Sequence, residues 1–128
     1  MIIVNKILYD DESREADIEL KSDDICIMCY CHPAKNLKKI YESHNHNIVA
    51  FQAENVMVDN HTIPQAVKTT SGYYSYFLRG KVISATKIQI NDFVIQIGAI
   101  PKDIEVGTYV SCSCLRLDYI INCIDEYD

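Results

Sequence analysis

Apolar side chains recur at every second position over much of this chain, which is the period of a β-strand that buries one face. Ile2, Ile3, Val4, Ile7 and Leu8 make a β-branched opening strand, and Asp10, Asp11, Glu12 and Ser13 end it in solvent. Ala16, Ile18 and Leu20 then alternate with Asp17, Glu19 and Lys21, and Ser22, Asp23 and Asp24 supply a hairpin turn. In the return strand over residues 25–31, Ile25, Ile27, Cys29 and Cys31 share one parity and Cys26, Met28 and Tyr30 the other. Both parities are largely apolar, which predicts a central strand or one held between packed layers.

The period changes after His32 and Pro33. Leu37, Ile40 and Tyr41 can share a helical face over residues 34–43, with Lys35, Lys38, Lys39 and Glu42 opposite, so one short helix is expected as a lid on the sheet. Short strands follow around residues 48–51 and 56–58, with a turn at Asp59 and Asn60. Residues 62–67 read as an edge strand or an extended connector, because Pro64 lacks the donor that a central strand requires.

The most strand-rich stretch spans residues 76–121. Phe77, Leu78, Val82 and Ile83 lie on a long strand in which Gly80 permits a bulge or bend, and Asn91 and Asp92 separate two further apolar strands. After Gly107 one long closing strand is predicted over residues 109–121. On it Val110, Cys112, Cys114 and Arg116 share one parity, and Tyr109, Leu115, Leu117 and Tyr119 share the other. Asp125, Glu126 and Asp128 suit a solvated terminus. The hairpins over residues 18–27 and 88–95 repeat one pattern of alternating strand, acidic turn and apolar strand, a match short enough to arise by convergence.

The expected fold is therefore mainly β: a single domain over residues 1–128, built as an antiparallel, strongly curved sheet or small barrel with one short helix. The stretch from Gly80 to Tyr119 resembles a fragment of an oligonucleotide/oligosaccharide-binding barrel, with its long curved strand, hairpin partner and glycine-led closing strand. That resemblance implies an OB-like barrel. It does not carry a ligand with it, since such folds host unrelated functions.

Composition narrows the function. The 128 residues carry 18 acidic and 12 basic side chains, a formal charge of −6, and the densest basic group is only Lys35, Lys38 and Lys39. A general phosphate-backbone binder would have to gather positive charge against that average, so nucleic acid is a disfavoured partner and a basic protein surface a favoured one. Six cysteines occur without a basic-then-apolar leader or an apolar run of membrane-spanning length. The expectation is cytoplasmic residence with reduced thiols and no membrane association. Phosphate-binding glycine loops, metalloprotease motifs and nucleophile elbows are missing from the sequence.

Four groups of residues offer candidate chemistry. Cys29 and Cys31 would share a strand face, as would Cys112 and Cys114; four such thiolates could form a tetrahedral zinc site, with His32, Cys26 or Cys123 as substitutes. Their spacing is not the paired CxxC pattern, so packed free cysteines are the expected reading and no metal or cofactor site is assigned. His44, His46 and His61 could make a surface metal site, or a base cluster if folding brought Asp59 or Asp92 near, but the surrounding asparagines read equally well as a polar turn, no nucleophile stands beside them and no catalytic residue is assigned. The carboxylates at Asp10 to Glu12 and at Asp23 and Asp24 read as solvated turns. Tyr73, Tyr74, Tyr76 and Arg79, with Phe77, form the candidate interaction group, suited to core packing first, protein contact second and stacking of single-stranded bases last.

These features favour a non-enzymatic protein-binding or inhibitory module, of the bacterial immunity type, that covers a basic partner. A small enzyme with an unrecognised site and a β-barrel that binds single-stranded nucleic acid are the alternatives. Edge strands and tyrosines also allow self-association into a homo-oligomer.

Overall fold

The computed structural model describes residues 1–121; Cys123, Asp125, Glu126 and Asp128 lie outside the described residues. Eleven strands and one helix occur among those described: β1 (Ile3–Asp10), β2 (Glu15–Ser22), β3 (Ile25–Cys31), α1 (Leu37–Glu42), β4 (Asn47–Phe51), β5 (Glu54–Val58), β6 (Gln65–Lys68), β7 (Tyr76–Val82), β8 (Lys87–Ile90), β9 (Phe93–Gln96), β10 (Tyr109–Cys114) and β11 (Arg116–Ile120). The molecule is mainly β. No helix among the described residues is long and apolar enough to cross a membrane.

All eleven strands belong to one sheet, ordered β1-β2-β3-β11-β4-β9-β8-β7-β10-β5, with β6 pairing a second stretch of β7. Two expectations are corrected here. The sheet is mixed and not purely antiparallel, because β3 pairs β11 and β4 pairs β9 in parallel. Its path is open and not a closed barrel, with β1 and β5 at the two ends. Parallel neighbours need long crossovers, and here the connections between distant strands, such as that from β3 to β11, supply them.

The alternation read from sequence survives in most strands. Ala16, Ile18 and Leu20 of β2, Ile27, Cys29 and Cys31 of β3, Ile88 and Ile90 of β8, and Phe93 and Ile95 of β9 all point into one buried cluster. β3 lies inside the sheet between β2 and β11, with Ile27, Cys29 and Cys31 buried, Met28 and Tyr30 half-buried and Cys26 exposed. The two hairpins of similar sequence both form, with Asp23 and Asn91 in left-handed conformations at their turns. The turns also meet: buried Ser22 donates its hydroxyl to Asp92 Oδ2 at 2.9 Å and accepts the Asn91 side-chain amide on its carbonyl at 3.1 Å. Gly80 is needed for close approach, since a Cβ there would stand 2.7 Å from the Gln89 carbonyl oxygen across the β7–β8 ladder.

The helix is shorter than the predicted span of residues 34–43. Buried Ala34 gives its N–H to the Arg14 carbonyl at 2.8 Å, and Asn36 takes a left-handed conformation, so helical geometry starts only at Leu37. The predicted closing strand is two strands. Leu115 is a bend, 54% exposed, at which the buried parity changes: Val110, Cys112 and Cys114 face inward before it, Leu117 and Tyr119 after it. Gln52, in a left-handed conformation between β4 and β5, marks the matching break on the neighbouring strand, and the Leu115 N–H donates to the Phe51 carbonyl across the gap at 3.0 Å.

Candidate functional site

That change of parity turns Arg116 outward, away from Cys114, and places it on the solvent face of β11. Register then assembles its neighbours. Arg116 stands opposite Phe51 of β4, while Asp118 stands opposite Tyr30 of β3, which is itself opposite Asp17 of β2. Arg116 lays its guanidinium carbon 4.5 Å from the Phe51 ring centre and 4.9 Å from that of Tyr30, and its Nε donates to Asp118 Oδ1 at 2.6 Å.

The contacts continue past Tyr30. Its ring meets Tyr74 edge-on at 5.7 Å, and Tyr74 meets Tyr73 at 4.7 Å, also edge-on. Lys68 Nζ sits 4.6 Å over the Tyr73 ring. Phe51, Arg116, Tyr30, Tyr74, Tyr73 and Lys68 therefore form an unbroken row of rings and cations across the outer surface. Tyr73 is 71% exposed and Phe51 38%, so both ends of the row are open to solvent.

Carboxylates border this row and hold its hydroxyls. Tyr30 donates to Glu15 Oε1 at 3.0 Å, and Tyr74 donates to Asp17 Oδ1 at 2.8 Å. Desolvation, followed by these acceptors, raises both phenol pKa values, so the hydroxyls remain donors at physiological pH. Each ring pair or surface cation–ring contact contributes on the order of 0.5–1 kcal/mol. Together they hold long side chains in place, which lowers the entropy cost of any contact made there.

The four residues singled out from sequence separate in the structure. Tyr73 and Tyr74 belong to the row. Tyr76 is 4% exposed in the core, where its hydroxyl oxygen accepts the Met28 N–H at 2.9 Å. Arg79 lies on another part of the sheet, donating from Nε to Asp59 Oδ2 at 2.9 Å with its guanidinium carbon 5.6 Å from the Phe77 ring centre. The His61 N–H and Arg79 together hold the Asp59 carboxyl well below the usual carboxylate range. Tyr30, Phe51 and Arg116 were missed by sequence reasoning; the Arg116–Asp118 alternation beside Leu117 and Tyr119 was their signal.

The remaining candidates do not assemble into chemistry. His61 Nδ1 contacts Asp59 at 3.0 Å in the turn before β6, away from His46. His46 and Tyr119 form a separate pair, with Nδ1 2.7 Å from the phenol oxygen and the rings edge-on at 5.6 Å. Burial lowers the His46 pKa, and its Nε2 is enclosed without a hydrogen bond. His44, His46 and Asp92 do line one open groove, and the hydroxyl of neighbouring Ser43 is engaged with Asn45 in the intervening turn.

The five described cysteines are free, and four are buried. Cys29 lies within electrostatic reach of Cys31 and Cys114, and Cys112 within reach of Cys114. Burial pushes the thiols up, to about 11 for Cys31 and Cys114 and about 12 for Cys112, which keeps them protonated and unreactive. Among the described residues no three His, Cys, Asp or Glu side chains gather to hold a metal ion.

The outer row of rings, cations and carboxylates thus defines the most built surface of a mixed-sheet β protein. No family model, curated protein or solved structure matches the chain.

Proposed function

We propose that this protein is a non-enzymatic binding module, of an inhibitory or immunity type, that covers a basic surface of a protein partner in the cytoplasm. The observation that carries this reading is the continuous row from Phe51 through Arg116, Tyr30 and Tyr74 to Tyr73. Tyrosine and arginine dominate the energetics of protein interfaces because they combine large contact area with a polar group that can be satisfied after desolvation. Glu15, Asp17 and Asp118 give the same face a negative border, which steers a cationic partner and disfavours nucleic-acid phosphate. A reducing compartment suits five free thiols.

Affinity capture from the native cell, with cross-linking and mass spectrometry, tests the reading. The wild-type chain is expected to retain a stoichiometric basic protein, cross-linked to β3, β11 or residues 73–74. A Tyr30→Ala/Arg116→Ala variant, shown to be folded by circular dichroism, is expected to lose it. Retention by that variant, or capture of only an acidic partner, contradicts the proposal.

A further inference from the structure

The same face carries a second seat of the kind that holds Arg116. A groove of about 260 Å³ opens beside Tyr74, lined by Leu8, Tyr9, Asp10, Glu15, Asp17 and the Ala16 between them. Its lining combines two tyrosines with three carboxylates and includes no lysine or arginine among the described residues. Its volume lies below the range of about 300–1,000 Å³ usual for small-molecule sites, and suits one long side chain.

How this surface holds a guanidinium is visible two strands from β2, on β11. Arg116 is stacked on Tyr30 and Phe51 and paired with Asp118. In the groove, Tyr74 supplies the ring and Leu8, opposite Asp17, an apolar wall, while Tyr9, opposite buried Ala16, belongs to the other face of the sheet. Asp17 Oδ1 is occupied by the Tyr74 hydroxyl, Glu15 Oε1 by the Tyr30 hydroxyl, and Asp10 Oδ1 by the Glu12 N–H at 2.9 Å. These bonds orient the three carboxylates, and the second oxygen of each makes no hydrogen bond among the described residues. The groove lies where β1 and β2 pair at Tyr9 and Ala16, and β1 is an end strand of the sheet, so a segment of another protein can reach it from the open side.

We propose that this groove receives an arginine side chain from the basic partner, its guanidinium packed on Tyr74 beside Leu8 and hydrogen-bonded to the carboxylates of Asp10, Glu15 and Asp17. Arginine fits better than lysine, because its planar, weakly hydrated guanidinium stacks on rings and offers several donors in a fixed fork. The inference rests on the binding face proposed above and names the side chain that face selects.

The probes are two peptides, acetyl-Gly-Arg-Gly-amide and its counterpart with neutral citrulline, titrated to about millimolar levels into the full chain and followed by amide NMR. The arginine peptide is expected to shift Tyr9, Asp10, Glu15 to Asp17 and Tyr74 saturably, and the citrulline peptide is not. A Glu15→Gln/Asp17→Asn variant, whose amide oxygens can still accept the tyrosine hydroxyls, is expected to bind the arginine peptide about tenfold more weakly. Equal shifts with citrulline, equal shifts at Asp23 and Asp24, or unchanged affinity in the variant would overturn the groove's role. If the captured partner is lost on Tyr30→Ala/Arg116→Ala but bound unchanged by Glu15→Gln/Asp17→Asn, the binding face stands and the arginine groove falls.

Discussion

The two faces of β3 and β11 are built from alternate residues of the same strands and meet opposite surroundings. Inward, Cys29, Cys31, Leu117 and Tyr119 join the buried cluster, where each apolar side chain adds transfer free energy and the thiols act as small hydrophobes. Outward, Tyr30, Arg116 and Asp118 touch rings and carboxylates from four strands and leave part of their surface to solvent. One residue of register separates a position that holds the fold from one available for recognition, and the bend at Leu115 decides which is which.

The largest contrast is expected between adjacent residues. Leu117→Ala removes a fully buried side chain from a central strand and should cost about 2–5 kcal/mol of stability in urea or guanidinium melts. Arg116→Ala should cost less than about 1 kcal/mol in the same melts, as for a surface ion pair, while weakening partner binding about 30-fold. Equal destabilisation by both would break the distinction between the faces.

Two tyrosines sharpen it at smaller scale. Tyr76→Phe leaves the Met28 N–H without its acceptor and should lower stability by about 1–3 kcal/mol. Tyr74→Phe removes a hydroxyl from a partly exposed pair and should cost under about 1 kcal/mol, with its main effect on binding.

The thiols give a pH test. Cys31, Cys112 and Cys114 have folded values of about 11 to 12 against an ordinary 9.0, so the folded state holds protons that the unfolded chain releases. Their contribution should be complete below pH 9 and lost as pH rises through about 11 to 12, read as an alkaline fall in melting temperature. Exposed Cys26 should react with a thiol reagent in the native state, and the buried four only as the chain opens, as peptide mapping would show.

The smallest effect concerns His46. Its pKa is lowered from 6.5 by burial, so the unfolded state binds the proton more readily. Stability should be unaffected above pH 6.5 and fall as acid takes the pH below it, and His46→Gln should remove that part of the acid dependence.

Much of the fold could be read from alternation and turn chemistry. The predicted strand of residues 25–31 matches β3, and both hairpin turns fall where acidic or amide residues accept left-handed geometry. What could not be read was register between distant strands. Continuing the period of two through Leu115 put Arg116 on the thiol face, because nothing local marks a residue that belongs to neither ladder. The parallel pairing of β3 with β11 joins residues far apart in sequence, and the row across Phe51, Arg116, Tyr30 and Tyr74 exists only once that pairing is made. Tyr76 and Tyr74 have similar sequence surroundings, yet the start of β7 turns one into the core and leaves the other at the surface.

The central claim is that the outward face of β3 and β11 is where a partner sits, and hydrogen exchange on the captured complex tests it most directly. Binding should slow exchange in residues 15–17, 28–31, 73–74 and 116–118, and leave the β5 edge at residues 54–58 unchanged. Protection confined to that edge, with the tyrosine row exchanging as in the free protein, would contradict it.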